Sequence, residues 1–204
     1  MRLYVVRHGE TDANKSGLAL GRSDVELNET GRWQAERVAE ALAREPVARV
    51  YSSPLKRAVA TAEMIAGKHC LSVQIDDGLV EMDLAALDGM PFHEARERYP
   101  HYLDAWLGRR LPIASDPGGE RLEQVTERAW LAIERIRERH HQGETVVAVT
   151  HNFVIQCLLC RVLGMDLEDF RRLRHHVTGI TAFEFEDGRA ILSSMNDTCH
   201  LRAV

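Results

Sequence analysis

The sequence has little of what marks a secreted or membrane-bound protein. Its 204 residues include four cysteines, and no apolar run approaches the ~20 residues that a membrane-spanning helix needs. A cysteine set this sparse indicates a reducing compartment rather than a disulfide scaffold. The first residues pass directly into a strand-like segment, without the apolar region and cleavage site of a signal peptide. We therefore expect a cytoplasmic protein with no membrane partner.

Positive charge is also in deficit. The chain carries 26 Lys and Arg against 31 Asp and Glu, a formal net charge of -5. This balance argues against nucleic acid as a partner. The hydrophobic fraction of 45% and the charged fraction of 28% are those of an ordinary globular protein. Any site for an anion must therefore be a local concentration of positive charge.

The chain lacks internal repeats, linkers and low-complexity segments, and instead alternates two hydrophobic patterns. Strand-like segments lie at 2–7, 48–53, 72–76 and 144–151, and two more at 179–185 and 190–195 flank the hairpin signal Asp187-Gly188. Helix-like segments lie at 28–45, 54–67, 119–141 and 152–164. For the second helix, Ser53 and Pro54 predict an N-cap and first-turn pair. The alternation predicts a three-layer α/β/α fold with a mostly parallel central sheet and helices on both faces.

One stretch, 83–118, breaks this alternation. It contains four of the six prolines, a short helical piece around 92–107 and little strand character. We interpret it as a small helical, cap-like insertion that crosses one edge of the sheet. The expected organisation is a single domain over 1–204 that carries this insertion.

Cationic and polar side chains follow three of the predicted strands. The first strand ends in Arg7 and His8, the second in Ser52 and Ser53 with Arg57 one helical turn later, and the apolar strand 145–150 in His151. Ligands of α/β sheets bind at the carboxyl ends of the strands, where two helix N-termini would add backbone N–H groups. The set fits a tetrahedral dianion such as a phosphoryl group. The alternative for each residue is a surface ion pair or a satisfied core histidine.

The motifs "RHGET" followed by Asn14, "SSPLKRAVATA" and "VVAVTH" resemble those of the histidine phosphatase superfamily, which also includes the cofactor-dependent phosphoglycerate mutases. The similarity extends over nearly the whole chain, through 21–35, 79–90 and 196–201. It implies that His8 is a nucleophile that forms a phosphohistidine and that Arg7 holds the phosphate. The remaining residues that it implies for substrate binding are Asn14, Gly21, Arg57, Glu81, His151 and Asn152.

The resemblance also points to Glu81 as the proton donor, with Asp83 and Asp88 as nearby alternatives. A glutamate surrounded by phosphate charge has a raised pKa, which suits a general acid near neutrality. Fixed arginine and histidine donors can neutralise the equatorial oxygens during phosphoryl transfer. We therefore expect neither a metal nor a cofactor.

Four positions depart from the common pattern of the family. Asn152 and Phe153 stand where many members have glycines after the second histidine, Ala85 replaces a glycine after the acid, and Val177 replaces an asparagine. A backbone N–H remains at 152, but Phe153 would reshape the pocket. These changes leave the catalytic residues in place and obscure the substrate.

Several other residues have both functional and structural interpretations. The pairs His140–His141 and His175–His176 invite a metal site, although adjacent residues face different directions and solvent exposure fits better. Cys157 and Cys160 lie in an apolar helical stretch, where core packing is favoured over redox chemistry. Arg109 and Arg110 could meet a second anionic group of the substrate or form a solvated pair. His200 has no assigned role.

The sequence thus predicts a phosphatase that acts on a small phosphorylated metabolite. Sugar phosphates, phosphoglycerates, α-ribazole phosphate and broad specificity all remain open as substrates. A phosphoglycerate mutase-type phosphoryl transfer is the first alternative, although the cap-like stretch is short for sealing out water. A non-catalytic phosphoryl-binding module is the second, and it would need neither His8 nor Glu81. The oligomeric state stays open, a homodimer included.

Overall fold

Six strands among the described residues form one mixed sheet at the centre of the molecule. The structure is a computed structural model and describes residues 1–107 and 118–202. The strands are β1 (Arg2–Arg7), β2 (Val47–Ser52), β3 (Val73–Ile75), β4 (Thr145–Thr150), β5 (Ile180–Glu186) and β6 (Arg189–Asp197). They are ordered β3-β2-β4-β1-β5-β6, with the first four parallel and β5 antiparallel to both of its neighbours. The mostly parallel sheet that the sequence predicts is confirmed.

Helices cover both faces of this sheet. They are α1 (Asp12–Lys15), α2 (Glu29–Leu42), α3 (Lys56–Lys68), α4 (Phe92–Arg98), α5 (Pro100–Leu107), α6 (Leu122–Glu138) and α7 (Asn152–Leu163), with short 3-10 turns between them. No helix in the described ranges is both long and apolar enough to cross a membrane.

The alternation of β4 side chains explains the three layers. Val146 and Ala148 join a buried cluster with α6 and α7, whereas Val147 and Val149 join another with α2 and α3. Because successive side chains of a strand point to opposite faces, one fully buried strand contributes to both cores. All six residues of β4 are buried, as a parallel strand covered on both faces requires.

Local signals place most boundaries close to the predicted ones. Helix α2 begins after Asn28, whose side chain accepts from the backbone N–H of Gly31 at 2.8 Å. Helix α7 ends at Gly164, which has a left-handed φ of 62°. The predicted cap of α3 is wrong: Leu55 occupies the N-cap position without a side-chain bond. Ser53 lies two residues before Leu55, and its hydroxyl bonds the N–H of Leu55 and the ring of His151.

The predicted insertion, as far as residue 107, lies beside the carboxyl end of β1. Its described part contains α4 and α5, separated at Tyr99, rather than one short helical piece. Leu84, Leu87 and Leu103 are buried in the same cluster as α6 and α7. Leu84 and Leu103 also line a cavity with His8, which follows the central strand β1, so they do not lie over an outer edge of the sheet. Arg109 and Arg110 lie outside the described residues.

Candidate active site

The first strand delivers His8 to the carboxyl end of the sheet and fixes it there. Its backbone N–H donates to the carbonyl of Thr150 at 3.0 Å, which joins the ends of β1 and β4. The next residue, Gly9, donates its N–H to the hydroxyl of Thr61 on α3 at 3.1 Å. A side chain at Gly9 would collide with the backbone of Gly31, so the loop after β1 packs directly against α2. The imidazole of His8 is thereby placed by three separate elements.

The hydrogen bonds of His8 determine which ring nitrogen is free. Nδ1 lies 2.7 Å from the carbonyl oxygen of Gly9, which can only accept, so Nδ1 carries the proton. Nε2 therefore holds a lone pair, and it accepts from Nε of Arg57 at 3.3 Å. Burial, and then the charges of Arg57 and Arg7, hold the pKa of His8 well below its usual range. The neutral ring with a lone pair on Nε2 is the form that can attack phosphorus.

Arg57 is fully buried, and backbone carbonyls hold its guanidinium. Nη1 donates to the carbonyl of Ser23 and Nη2 to that of Gly21, both at 2.7 Å. The backbone N–H groups of the same two residues donate to the carboxylate of Asp88, at 2.8 Å from Gly21 and 2.7 Å from Ser23. Asp88 thus fixes the loop that orients Arg57.

This arrangement bears on two predicted roles. Both backbone polar groups of Gly21 are already used, so it positions Arg57 and offers substrate no free donor. Both carboxylate oxygens of Asp88 accept hydrogen bonds from the loop of Gly21 and Ser23, which argues against Asp88 as the proton donor.

Arg7 lies beside His8, and residues at the start of α7 and before β5 hold its guanidinium. Its Nη1 donates to the carbonyl of His175 at 2.6 Å and to Oδ1 of Asn152 at 3.3 Å. Its Nε is buried without a hydrogen-bond partner among the described residues. A buried donor of this kind suits an incoming anion.

The position of Arg7 also gives the second histidine pair a role. The ring of His175 bonds Thr181 through Nε2 at 2.8 Å, and burial lowers its pKa to about 4. His175 is therefore a neutral residue whose backbone carbonyl orients Arg7.

His151 lies at the end of β4 with its ring 5.1 Å from that of His8, measured between centroids. Its Nε2 lies 2.7 Å from Oγ of Ser53 at the end of β2, while its Nδ1 is buried without a partner in the described chain. Burial holds the pKa of His151 well below its usual range, and the electrostatic effects of His8 and the nearby arginines lower it further. His151 is therefore neutral near neutral pH.

Asn14 presents its amide to the same site. Its Oδ1 accepts from the backbone N–H of Thr11 at 3.2 Å and from the hydroxyl of that residue at 3.0 Å. These bonds fix the amide and leave Nδ2 without an acceptor among the described residues, and Asn14 lines the cavity that contains His8.

Glu81 lies in this cavity too, at 3% exposure. Its Oε1 accepts from the N–H of Met82 at 2.8 Å, and its Oε2 accepts from that of Phe153 at 3.3 Å. Burial raises the pKa of Glu81, against the opposing effects of these bonds and of Arg57 and Arg7. Asp83, in contrast, has a half-exposed side chain that caps the backbone of Ala85 at 2.8 Å.

The residue that sequence reasoning missed is Arg128 on α6. Its guanidinium donates to the carbonyls of Gly78, Val80 and Glu81 at 2.9, 2.6 and 3.1 Å. It also pairs with both carboxylate oxygens of Glu120, at 2.8 and 2.9 Å. Arg128 thereby holds the backbone that carries Glu81. No motif signals this role, because backbone carbonyls are acceptors at every position of the chain.

The site opens into two adjoining cavities. One, of about 340 Å³, contains His8 and Glu81 and has mostly apolar walls. The other, of about 600 Å³, extends towards Arg171 and Arg174. Both cavities are lined by Arg7, Asn14, Phe92, Leu103, Asn152 and Phe153. Phe153, at a position where the resemblance has a glycine, therefore lies where the two cavities meet.

The other candidate residues lie elsewhere. His140 bonds Glu144 and Tyr51, and His200 bonds Thr178, all outside these cavities. Cys157 and Cys160 are buried core thiols, and burial raises their pKa values to about 12 and about 11. Within residues 1–107 and 118–202 no three His, Cys, Asp or Glu side chains come together as a metal site.

One family model and several known proteins match nearly the whole length of the chain. The model of the histidine phosphatase superfamily (branch 1) matches residues 3–198. Phosphoserine phosphatase 1 of Hydrogenobacter thermophilus is 34% identical over 201 residues, covering 98% of this chain and 94% of that protein. The phosphoglycerate mutase-like protein 4 of Arabidopsis thaliana is 43% identical over 203 residues, covering 98% and 86%. The metal-independent phosphoserine phosphatase of the same plant is 34% identical over 206 residues, covering 99% and 84%.

Solved structures agree with the sequence relatives. Bacillus stearothermophilus YhfR superimposes with a TM-score of 0.91 at 30% identity, covering 98% of this chain and 99% of that one. A phosphoserine phosphatase mutant from Entamoeba histolytica in complex with phosphoserine gives a TM-score of 0.86 at 30% identity, with the same coverage.

Proposed function

The chain belongs to the histidine phosphatase superfamily, and we propose that it hydrolyses a small phosphomonoester through a phosphohistidine on His8. The resemblance read from the motifs is confirmed, and the activity of the relatives supports a phosphatase. The observation that carries the proposal is the lone pair on Nε2 of His8. His8 lines a cavity that also contains the buried carboxyl group of Glu81.

In the first half of the reaction, Nε2 of His8 attacks phosphorus and the bond to the leaving oxygen breaks. The protonated carboxyl of Glu81 gives its proton to the departing alkoxide. Arg7, Arg57, His151 and Asn14 surround the equatorial oxygens, whose charge is greatest in the transition state. The backbone N–H of Asn152, at the N-terminus of α7, adds a further donor.

In the second half, the carboxylate of Glu81 takes a proton from water as the water oxygen attacks phosphorus. The N–P bond breaks and its electron pair returns to Nε2, which leaves His8 neutral and Glu81 protonated. Phosphate then departs and the starting state is restored. The cationic and polar donors neutralise the phosphoryl oxygens, so no step requires a metal.

The experiment is the release of inorganic phosphate from a panel of phosphomonoesters with EDTA present. We expect release that EDTA leaves intact and vanadate inhibits, since vanadate mimics the five-coordinate transition state. Activity lost with EDTA and restored by a divalent ion would contradict the proposal. Interconversion of phosphoglycerates that needs added bisphosphoglycerate, without net release, would establish the mutase alternative. Tight binding without turnover would establish a binding module.

The proposal keeps two earlier predictions as they were. We propose that the enzyme works in the cytoplasm, as the sparse cysteines suggest. We also propose that residues 1–204 form one domain that carries the 83–118 stretch as a cap-like insertion.

A further inference from the structure

A continuous series of hydrogen bonds leads from the proposed phosphoryl site to the backbone of a neighbouring segment. Nη1 of Arg7 donates to Oδ1 of Asn152 at 3.3 Å. Nδ2 of Asn152 donates to Oε1 of Gln156 at 2.9 Å, and Nε2 of Gln156 donates to the carbonyl of Leu173 at 2.6 Å. The proposed chemistry uses Arg7 and Asn152 and gives Gln156 no part, although both ends of its amide are bonded.

The two ends of this series determine how both side-chain amides are turned. A backbone carbonyl can only accept, so the nitrogen of Gln156 must face Leu173 and its oxygen must face Asn152. A guanidinium can only donate, so the oxygen of Asn152 must face Arg7 and its nitrogen must face Gln156. Each end leads independently to the same orientation of the pair. Turning either amide would break two hydrogen bonds.

Helix α7 brings the two amides together. Asn152 is its first residue and Gln156 follows four residues later, so the two side chains lie on one face, one turn apart. Gln156 is buried at 7% exposure, where an unmade hydrogen bond is costly. Leu173, also buried, follows a 3-10 turn over Leu167–Arg172 that packs against α7. Gln156 is therefore held by the fold itself, without any contribution from a substrate.

The orientation of Arg7 depends on this support. Its Nη1 has two acceptors, the carbonyl of His175 at 2.6 Å and the amide oxygen of Asn152. Because a guanidinium is a rigid plane, two acceptors from different directions on Nη1 also fix where Nε points. That Nε is buried without a partner among the described residues and is a donor for an anion. With the His175 carbonyl alone, the plane can rotate about a single hydrogen bond.

We propose that Gln156 is a positioning residue for the phosphoryl site: it fixes the amide of Asn152, which in turn holds Arg7 in the orientation that binds the phosphoryl group. The inference deepens the proposed phosphatase function and rests on it. It also gives a role to one departure from the family pattern. A glycine at 152 would leave Gln156 without its partner and Arg7 without its second acceptor.

A double-mutant cycle between Gln156 and Asn152 tests the proposal. Q156M removes both hydrogen bonds and keeps the length of the side chain, so kcat/KM should fall about fivefold. In an N152G background the same change should cost less than about twofold, because Gln156 then has no amide to orient. Inhibition by vanadate should weaken in the same pattern, since Arg7 binds the oxyanion directly.

T126V is the matched control for the loss of a buried hydrogen bond. Thr126 on α6 is buried at 8% exposure, and its hydroxyl donates to the carbonyl of Leu122 at 2.7 Å. It lines neither of the two cavities. T126V should lower the stability towards urea and leave kcat/KM and vanadate inhibition as in the wild type. If Q156M does not fold, Q156A takes its place, since alanine favours the helix and only widens the cavity.

Equal losses from Q156M in both backgrounds would overturn the proposal, because Gln156 would then act without Asn152. No loss at all, or a loss that T126V reproduces, would overturn it as well. A wild type that binds vanadate but releases no phosphate would count against the proposed function, and vanadate binding in the cycle would still decide the role of Gln156. A wild type that does not bind vanadate would count against both.

Discussion

Oγ of Ser53 lies 2.7 Å from Nε2 of His151, so a hydrogen bond joins the ends of β2 and β4 beside the proposed nucleophile. Ser53 also accepts from the backbone N–H of Leu55 at 3.3 Å, and His151 is its one acceptor among the described residues. The hydroxyl of Ser53 can donate to Nε2, and neutral His151 then carries its ring proton on Nδ1. That buried, unpartnered N–H is a donor for a phosphoryl oxygen.

Replacing Ser53 tests this arrangement. S53A should lower kcat/KM about tenfold, because the imidazole loses the bond that fixes its tautomer and orientation. S53T should restore most of the activity, since it keeps the hydroxyl. The urea denaturation curve of each variant serves as the control for folding. Equal loss in S53A and S53T, or none in S53A, would show that Ser53 does not position His151.

Glu81 should matter in proportion to the basicity of the leaving group. E81Q keeps the shape of the side chain but cannot transfer a proton, so alkyl phosphates should slow far more than p-nitrophenyl phosphate. D83N is the control, because Asp83 is half-exposed and should show no such dependence. Single-turnover release of the alcohol is the measurement, since hydrolysis of the phosphoenzyme can limit steady-state rates. Uniform slowing in E81Q together with discrimination in D83N would assign the proton to Asp83.

The raised pKa of Glu81 adds a pH dependence to this prediction. The acid acts in its protonated form, so kcat/KM for alkyl phosphates should fall as the pH rises through this pKa. E81Q should lack that descending limb. A wild-type limb that persists unchanged in E81Q would have to come from another group.

Buried neutral histidines should make the fold sensitive to acid. The pKa of His175 is lowered to about 4, and those of His8 and His151 lie well below their usual range. In the unfolded chain each titrates near 6.5, so the unfolded state binds more protons below that pH. The histidine contribution to stability is therefore present above pH ~6.5 and is lost as the pH falls towards the folded-state values. Glu81 acts in the opposite direction, because its folded-state pKa is raised.

Urea unfolding between pH 8 and pH 4.5 measures this balance. The unfolding free energy of the wild type should fall as the pH drops below 6.5, and H175Q should show a shallower fall. Gln at 175 can still bond Thr181 but does not titrate. Parallel curves for wild type and H175Q would show that His175 does not take part in the linkage.

Two glycines in helices offer a matched pair of substitutions. A Cβ at Gly31 would collide with the backbone of Glu10, beside the loop that holds His8, whereas a Cβ at Gly67 on α3 meets nothing within 4 Å. G31A should cost about 1–3 kcal/mol of stability and reduce kcat, since relief of the clash moves the loop. G67A should be neutral or stabilising by up to ~1 kcal/mol. Unfolding curves and phosphate release check both, and a fully active G31A would show that the loop tolerates displacement.

Sequence patterns predicted the sheet and the residues that meet at its carboxyl edge. The apolar strand 145–150 and its neighbours have strong periodicity, and Arg7, His8, Arg57 and His151 follow from where strands end. The hydrophobic pattern and the order of strands and helices along the chain are sufficient to predict the positions of these residues. The motif resemblance then added Glu81, which lies in the same cavity as His8.

The parts that could not be predicted depend on backbone acceptors. Arg57, Arg7 and Arg128 are oriented by carbonyls of Gly21, His175 and Val80. Every residue has a backbone carbonyl, so the sequence does not show which carbonyls accept hydrogen bonds from side chains. The same limit explains why sequence reasoning missed Arg128.

The central claim is that His8 carries the phosphoryl group. The direct measurement is rapid alkaline quenching of the enzyme with a ³²P-labelled phosphomonoester, followed by mapping of the label to a peptide. Phosphohistidine survives alkali and is lost in acid. We predict acid-labile label on Nε2 of His8 in the wild type and none in H8A. Label that resists acid, or that maps to a serine, a cysteine or another histidine, would contradict the mechanism.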